Sequence, residues 1–121
     1  MSKTLGYVHV EINGEDKPFK LDLNAVADLE EQLNKGIGAI MQEENVGFRT
    51  IRAFYWAGLK WKDKGMTMQR AGSVVQKMLT EDGKDFKELM EPVREALFAS
   101  GLIKKRDLES EEDAEDDEGK N

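Results

Sequence analysis

The chain has 121 residues, enough for one domain around a single modest core, and its 18 basic against 25 acidic residues give a net charge of −7. It contains no cysteine, which excludes a disulfide framework and a thiolate metal site and leaves apolar burial to hold the fold together. The acid is concentrated: residues 107–121 carry nine carboxylates against Lys120, net −8, whereas residues 1–106 are nearly neutral at net +1. No stretch reaches the roughly 20 apolar residues that a bilayer span needs, and "MSKTLGYVHV" lacks the apolar run of a secretion signal, so a soluble cytosolic protein is the expectation.

The first element is a hairpin within residues 5–23. Val8, Val10 and Ile12 alternate with Tyr7, His9 and Glu11, while Phe19, Leu21 and Leu23 alternate with Lys20 and Asp22, a period of two on both sides. Asn13-Gly14 between them favours the positive φ angles of a two-residue turn, which would set Val8 opposite Phe19. Pro18 has no amide proton and marks the second strand as an edge. A ribbon this small needs helices over its apolar face.

From Asn24 to about Gly101 the period becomes helical. Asn24 is the expected cap of a helix with Val26, Leu29 and Leu33 on one stripe, ending between Asn34 and Gly36. "GIGAIMQEENVG" reads as a short helix or turn. The strongest helix runs from about Gly47 to Lys62: Phe48, Ile51, Tyr55 and Leu59 lie on one face, Phe54 and Trp61 make a second, and Trp56 projects to a third. A helix apolar over most of its circumference is expected to be central or to touch something outside its own domain. Thr67 caps a fourth segment with Met68, Ala71, Val75 and Met78 on one face, and Glu81-Asp82-Gly83 breaks it. Phe86, Leu89, Met90, Val93 and Leu97 form the last stripe, with Pro92 predicting a kink or two shorter helices meeting near Glu91.

The predicted fold is therefore mainly α with a small N-terminal β-hairpin (α+β), a compact bundle of about four to five helices in a single domain of residues 1–106. Residues 107–121, a dense block of like charge, are expected to form a disordered acidic tail.

Catalytic chemistry is poorly represented. His9 is the only histidine, which rules out a histidine-based triad and a two-histidine metal site by count. Neighbouring carboxylates such as Glu30-Glu31 and Glu43-Glu44 point about 100° apart on a helix. The glycines of "KGIGAI" lack a phosphate loop's lysine and hydroxyl residue, and the acidic tail lacks the spacing of a calcium loop. No enzyme, cofactor or metal site is expected, and a near-neutral body offers no large phosphate-neutralising surface, so neither nucleic acid nor membrane is an expected partner.

The order of "FKLDLNAVADLEEQL", "FRTIRAFYWAGLKW" and "MTMQRAGSVVQKML", covering roughly residues 8–100, resembles the tail assembly chaperones of long-tailed bacteriophages and prophages. The resemblance implies a small non-catalytic protein of the host cytoplasm, which coats the long apolar tape measure protein until tail tube subunits polymerise around it. Its partners would be the tape measure protein and possibly the tail tube protein. Members often come in two lengths through ribosomal frameshifting, and an A-rich run can encode Gly119-Lys120-Asn121. A groove for such a partner is expected among Phe54, Trp56, Trp61, Met66 and Met68, aromatics giving area and methionines adapting to irregular shapes. The competing reading is that these residues fill the core. Two other functions compete with the chaperone: an acidic regulatory or DNA-mimicking protein, and a minor structural (joining) protein of the tail.

Overall fold

The computed structural model describes residues 6–43 and 46–104. The expected tail, 107–121, lies outside the described residues. Two antiparallel strands, β1 (Val8–Ile12) and β2 (Glu15–Phe19), are followed by α1 (Leu23–Leu33), α2 (Ile37–Gln42), α3 (Phe48–Leu59), α4 (Met68–Thr80) and α5 (Phe86–Ser100). This is the α+β arrangement read from the periodicities.

Asn13 and Gly14 both take positive φ, 56° and 75°, as a type I′ turn requires. Val8 stands opposite Phe19, the expected partner, and His9 opposite Pro18. With a two-residue turn the pairs Ile12–Glu15, Val10–Lys17 and Val8–Phe19 are the hydrogen-bonded ones, so the backbone nitrogens of Asp16, Pro18 and Lys20 point outward from the ribbon. Pro18 therefore costs the hairpin no internal bond. The outward Lys20 N–H donates to the carbonyl of Gly58 at 3.0 Å, supplying a donor to one of the last-turn carbonyls that α3 cannot satisfy itself.

The start of α1 differs from expectation. Asp22, not Asn24, is the cap: its carboxylate accepts from the Ala25 amide at 2.9 Å, and Asn24 sits exposed inside the first turn. Beginning two residues earlier adds about half a turn, Leu23 and Asn24, both exposed, ahead of the buried Ala25 and Val26. Asn34 ends the helix in the left-handed region at φ 55°. The ambiguous glycine-bracketed segment contains a short helix, α2, whose first amide, Ile37 N–H, donates to the Glu30 carboxylate at 2.7 Å.

α3 is the centre of the molecule and packs against β2, α1, α4 and α5. Ile51, Phe54, Tyr55 and Leu59 are buried, while Phe48, expected on the same face as Ile51 and Tyr55, is 62% exposed because the helix begins there, beyond the edge of the core. The helix stops at Leu59, so Trp61 lies in the following turn and shares no helical face with Phe54. Phe19 and Tyr55 meet with ring centroids 5.3 Å apart, and each fully buried aromatic of this kind contributes about 2–3 kcal/mol by burial. The approach of hairpin to helix depends on Gly58: a β-carbon there would overlap the Phe19 ring.

Thr67 caps α4 as expected, its hydroxyl accepting from Arg70 N–H at 3.1 Å. α5 starts with a reciprocal capping box, Glu88 N–H to the Asp85 carboxylate at 2.8 Å and Asp85 N–H to the Glu88 carboxylate at 2.9 Å. It runs as one helix through Pro92, which overturns the alternative of two shorter helices. Pro92 still denies the Glu88 carbonyl its usual donor. Next along, the Leu89 carbonyl accepts from the buried Tyr55 hydroxyl at 2.7 Å, which ties α5 to α3. Burial pushes the Tyr55 phenol far above its ordinary value.

Candidate partner-binding surface

The five residues expected to form a groove occupy separate places. Phe54 is wholly buried, so its ring is not available at the surface. Trp56 is half-buried beneath Lys60, whose ammonium lies 4.2 Å from the ring centroid and pairs with Asp28 of α1. Trp61 is half-buried against Tyr7, centroids 5.2 Å apart, with Lys20 and Lys62 over its ring at 4.8 and 5.0 Å. Its buried indole N–H has no acceptor among the described residues. Met68, half-buried, opens α4. Met66 lines a mixed hollow of about 510 Å³ between the hairpin and α4, with Ile12, Leu59, Val74 and Arg70. These residues flank the hairpin and α1; they do not line one furrow.

The exposed apolar surface lies elsewhere. Large apolar side chains exposed on the described residues are Leu23, Phe48 and Leu102. Phe48 stands in a hollow of about 440 Å³ between the start of α3 and the second half of α4, walled by Phe48, Val75 and Leu79 and rimmed by Arg49, Arg52 and Gln76. Gly72 forms part of its floor, where the Arg52 methylenes lie close enough that a β-carbon would meet Arg52 Cδ at 3.1 Å. The Phe48 ring meets the ring of Phe86, the first residue of α5, at 5.7 Å. Beyond that pair a second hollow of about 500 Å³ is lined by Phe86, Met90, Ile40, Met41 and Val46, with Lys87, Arg94, Glu43 and Glu91 on its edge. Two apolar depressions thus adjoin across one aromatic contact. Both volumes fall in the range that binding sites use.

Electrostatically the first hollow is basic, with Arg49 and Arg52 and no acid in its lining. Arg49 donates to the Gln32 carbonyl at 3.4 Å, and neither Arg49 nor Arg52 has an ion pair among the described residues. α3 starts on Gly47 with no side-chain cap and no acid in its first turn, so the positive end of its dipole adds to the two guanidinium groups. By contrast Asp63, on the hairpin side, is held by Arg70 at 3.1 Å, and that hydrogen bond keeps its carboxyl below the ordinary range. Among the described residues no group of three His, Asp or Glu side chains is placed to hold a metal ion. No helix of the described residues is long and apolar enough to cross a membrane. His9 stands exposed on β1, edge-on to Tyr7 at 5.5 Å.

Sequence reasoning placed Phe48 with the core and did not single out Phe86, Val75 and Leu79 as a surface. The available signal was positional. Phe48 and Phe86 are each the first residue after a helix cap, where a large side chain overhangs the end of the core.

Comparison with known families gives one match: the pattern of the family described as "Phage tail tube protein, GTA-gp10" fits residues 5–102. No curated protein and no solved structure matches the chain.

Proposed function

The chain belongs to this phage tail family, and on that premise we propose that it is a non-catalytic tail assembly chaperone, binding the tape measure protein in the host cytoplasm during tail morphogenesis. The observation that carries the reading is the pair of adjoining apolar hollows around Phe48 and Phe86, on a body whose other large aromatics are fully or partly buried. A tape measure chain offers a long succession of apolar helical faces, and an open furrow between helices can take such a face with little demand on its sequence. The near-neutral body and strongly acidic residues 107–121 suit a helper that holds a sticky cargo without aggregating.

Co-expression of the chain with the tape measure protein of the same phage tests this. The expected result is a soluble complex that survives purification, with the chain missing from finished particles. A tape measure protein that stays equally soluble or insoluble with and without the chain, and never co-purifies with it, refutes the reading.

A second reading is favoured by the family description, which names a tail tube protein. A minor structural component of the tail would be present in purified particles at fixed stoichiometry, the opposite of the chaperone result.

A further inference from the structure

Resting on the reading above, we infer that the furrow at the start of α3 selects its partner by charge: it takes an amphipathic helix whose apolar stripe is flanked by carboxylates. Phe48, Val75 and Leu79 supply the apolar walls, and the Arg52 methylenes lie over the Gly72 floor. Arg49 and Arg52 stand on the rim one above the other, three residues apart on α3. That spacing is about 4.5 Å along the axis, close to the separation of carboxylates at i and i+3 or i+4 on a partner helix. Neither guanidinium is neutralised within the described residues, and the first-turn amides of α3 face the same end. Past the Phe48–Phe86 contact the second hollow carries mixed charge, Lys87 and Arg94 standing with Glu43 and Glu91, so the selection by charge belongs to the first hollow. An uncharged apolar helix would leave these groups desolvated without a partner; one flanked by lysine would be repelled. A partner with acid along the edge of its stripe that meets α3 satisfies both requirements.

The probes are two synthetic amphipathic peptides of about 21 residues with the same leucine stripe, flanked in one by glutamate and in the other by lysine. Binding to the full chain is read by fluorescence anisotropy at low salt. The glutamate peptide is expected to bind about tenfold more tightly than the lysine peptide, with the preference shrinking as salt rises. The double variant Arg49→Glu, Arg52→Glu is expected to reverse the preference. Phe48→Ala is expected to weaken the glutamate peptide about tenfold, and Leu23→Ala, at an exposed apolar residue of α1, to leave it unchanged. All substituted positions are exposed, and a thermal melt by circular dichroism verifies that each variant folds.

Equal affinity for the two peptides, or a preference that survives the arginine reversal, overturns the inference. So does a 20-base-pair DNA duplex that binds more tightly than the glutamate peptide and is lost in the same variants, which would assign the basic rim to nucleic acid. The outcomes separate the two proposals. If the chain captures the tape measure protein and the Phe48 and arginine variants capture it equally well, the furrow is wrong and the chaperone reading stands. If the glutamate peptide binds as expected while the tape measure protein does not, the furrow stands and its cargo is another helix.

Discussion

Gly58→Ala is the sharpest test of how the hairpin is joined to the helices. The new methyl group would overlap the Phe19 ring, with Cδ2 of that ring 2.7 Å away, and Phe19 is fully buried against Tyr55 and cannot swing out. Overpacking of this kind costs about 1–3 kcal/mol. Alanine returns up to ~1 kcal/mol of helix propensity, but less at a penultimate helical position, so the net loss is about 1–2 kcal/mol. At about 4–8 °C per kcal/mol for a body of this size, the melting midpoint falls by roughly 5–15 °C. Phe19→Leu alone destabilises by about 1 kcal/mol, yet in the Gly58→Ala background it removes the clash, and the two changes together are expected to cost about 1 kcal/mol less than their sum. Thermal and urea denaturation of the four proteins closes the cycle. A Gly58→Ala protein as stable as the parent, or strict additivity, refutes the proposed contact.

Tyr55 gives the chain a pH signature. Its folded-state phenol is raised, so this group's contribution is fully present below about pH 10 and is lost above it as the unfolded chain ionises first, at up to ~1.4 kcal/mol per pH unit. Tyr55→Phe is expected to lack that slope and to lose about 1 kcal/mol at neutral pH with the hydrogen bond to Leu89; identical alkaline slopes in the two proteins would contradict this. Asp85→Ala removes the capping box of α5 and is expected to cost about 1 kcal/mol in urea denaturation, most of it restored by Asp85→Asn. Removing residues 107–121 takes away nine carboxylates of the charge that the arginine rim attracts, and is expected to raise affinity for the glutamate-flanked peptide several-fold at low salt and not at about 0.5 M. No change at low salt would mean the tail does not engage the furrow.

Much of the architecture was legible because each element carries its own local chemistry. Asn13-Gly14 set the hairpin register, Thr67 set the start of α4, and the stripes of α1, α4 and α5 identified Leu29, Val75 and Leu97 as core. Errors came where two local signals competed or where periodicity meets a helix end. Asp22 and Asn24 are both good caps two residues apart, and the structure places the capping bond on Asp22. Continuing the 3.6 period of α3 past Leu59 put Trp61 on a helix that had already stopped. The same extrapolation at the other end hid the surface: Phe48 is in phase with the core but a turn beyond it. Its neighbour Phe86 is 38 positions away in sequence, and no single-sequence periodicity reports a contact of that range.

The outer rim of β2 has a consequence for assembly. Of its three outward nitrogens, the one at Lys20 is already committed to Gly58 and the one at Pro18 bears no hydrogen, which leaves Asp16 alone. A foreign extended segment would find a single amide donor where a ladder needs several, with the charges of Glu15, Asp16 and Lys17 set around it. On that flank the ribbon cannot be lengthened into a growing sheet. Any union of this chain with a polymerising neighbour on that flank has to be made through side chains and not by strand addition.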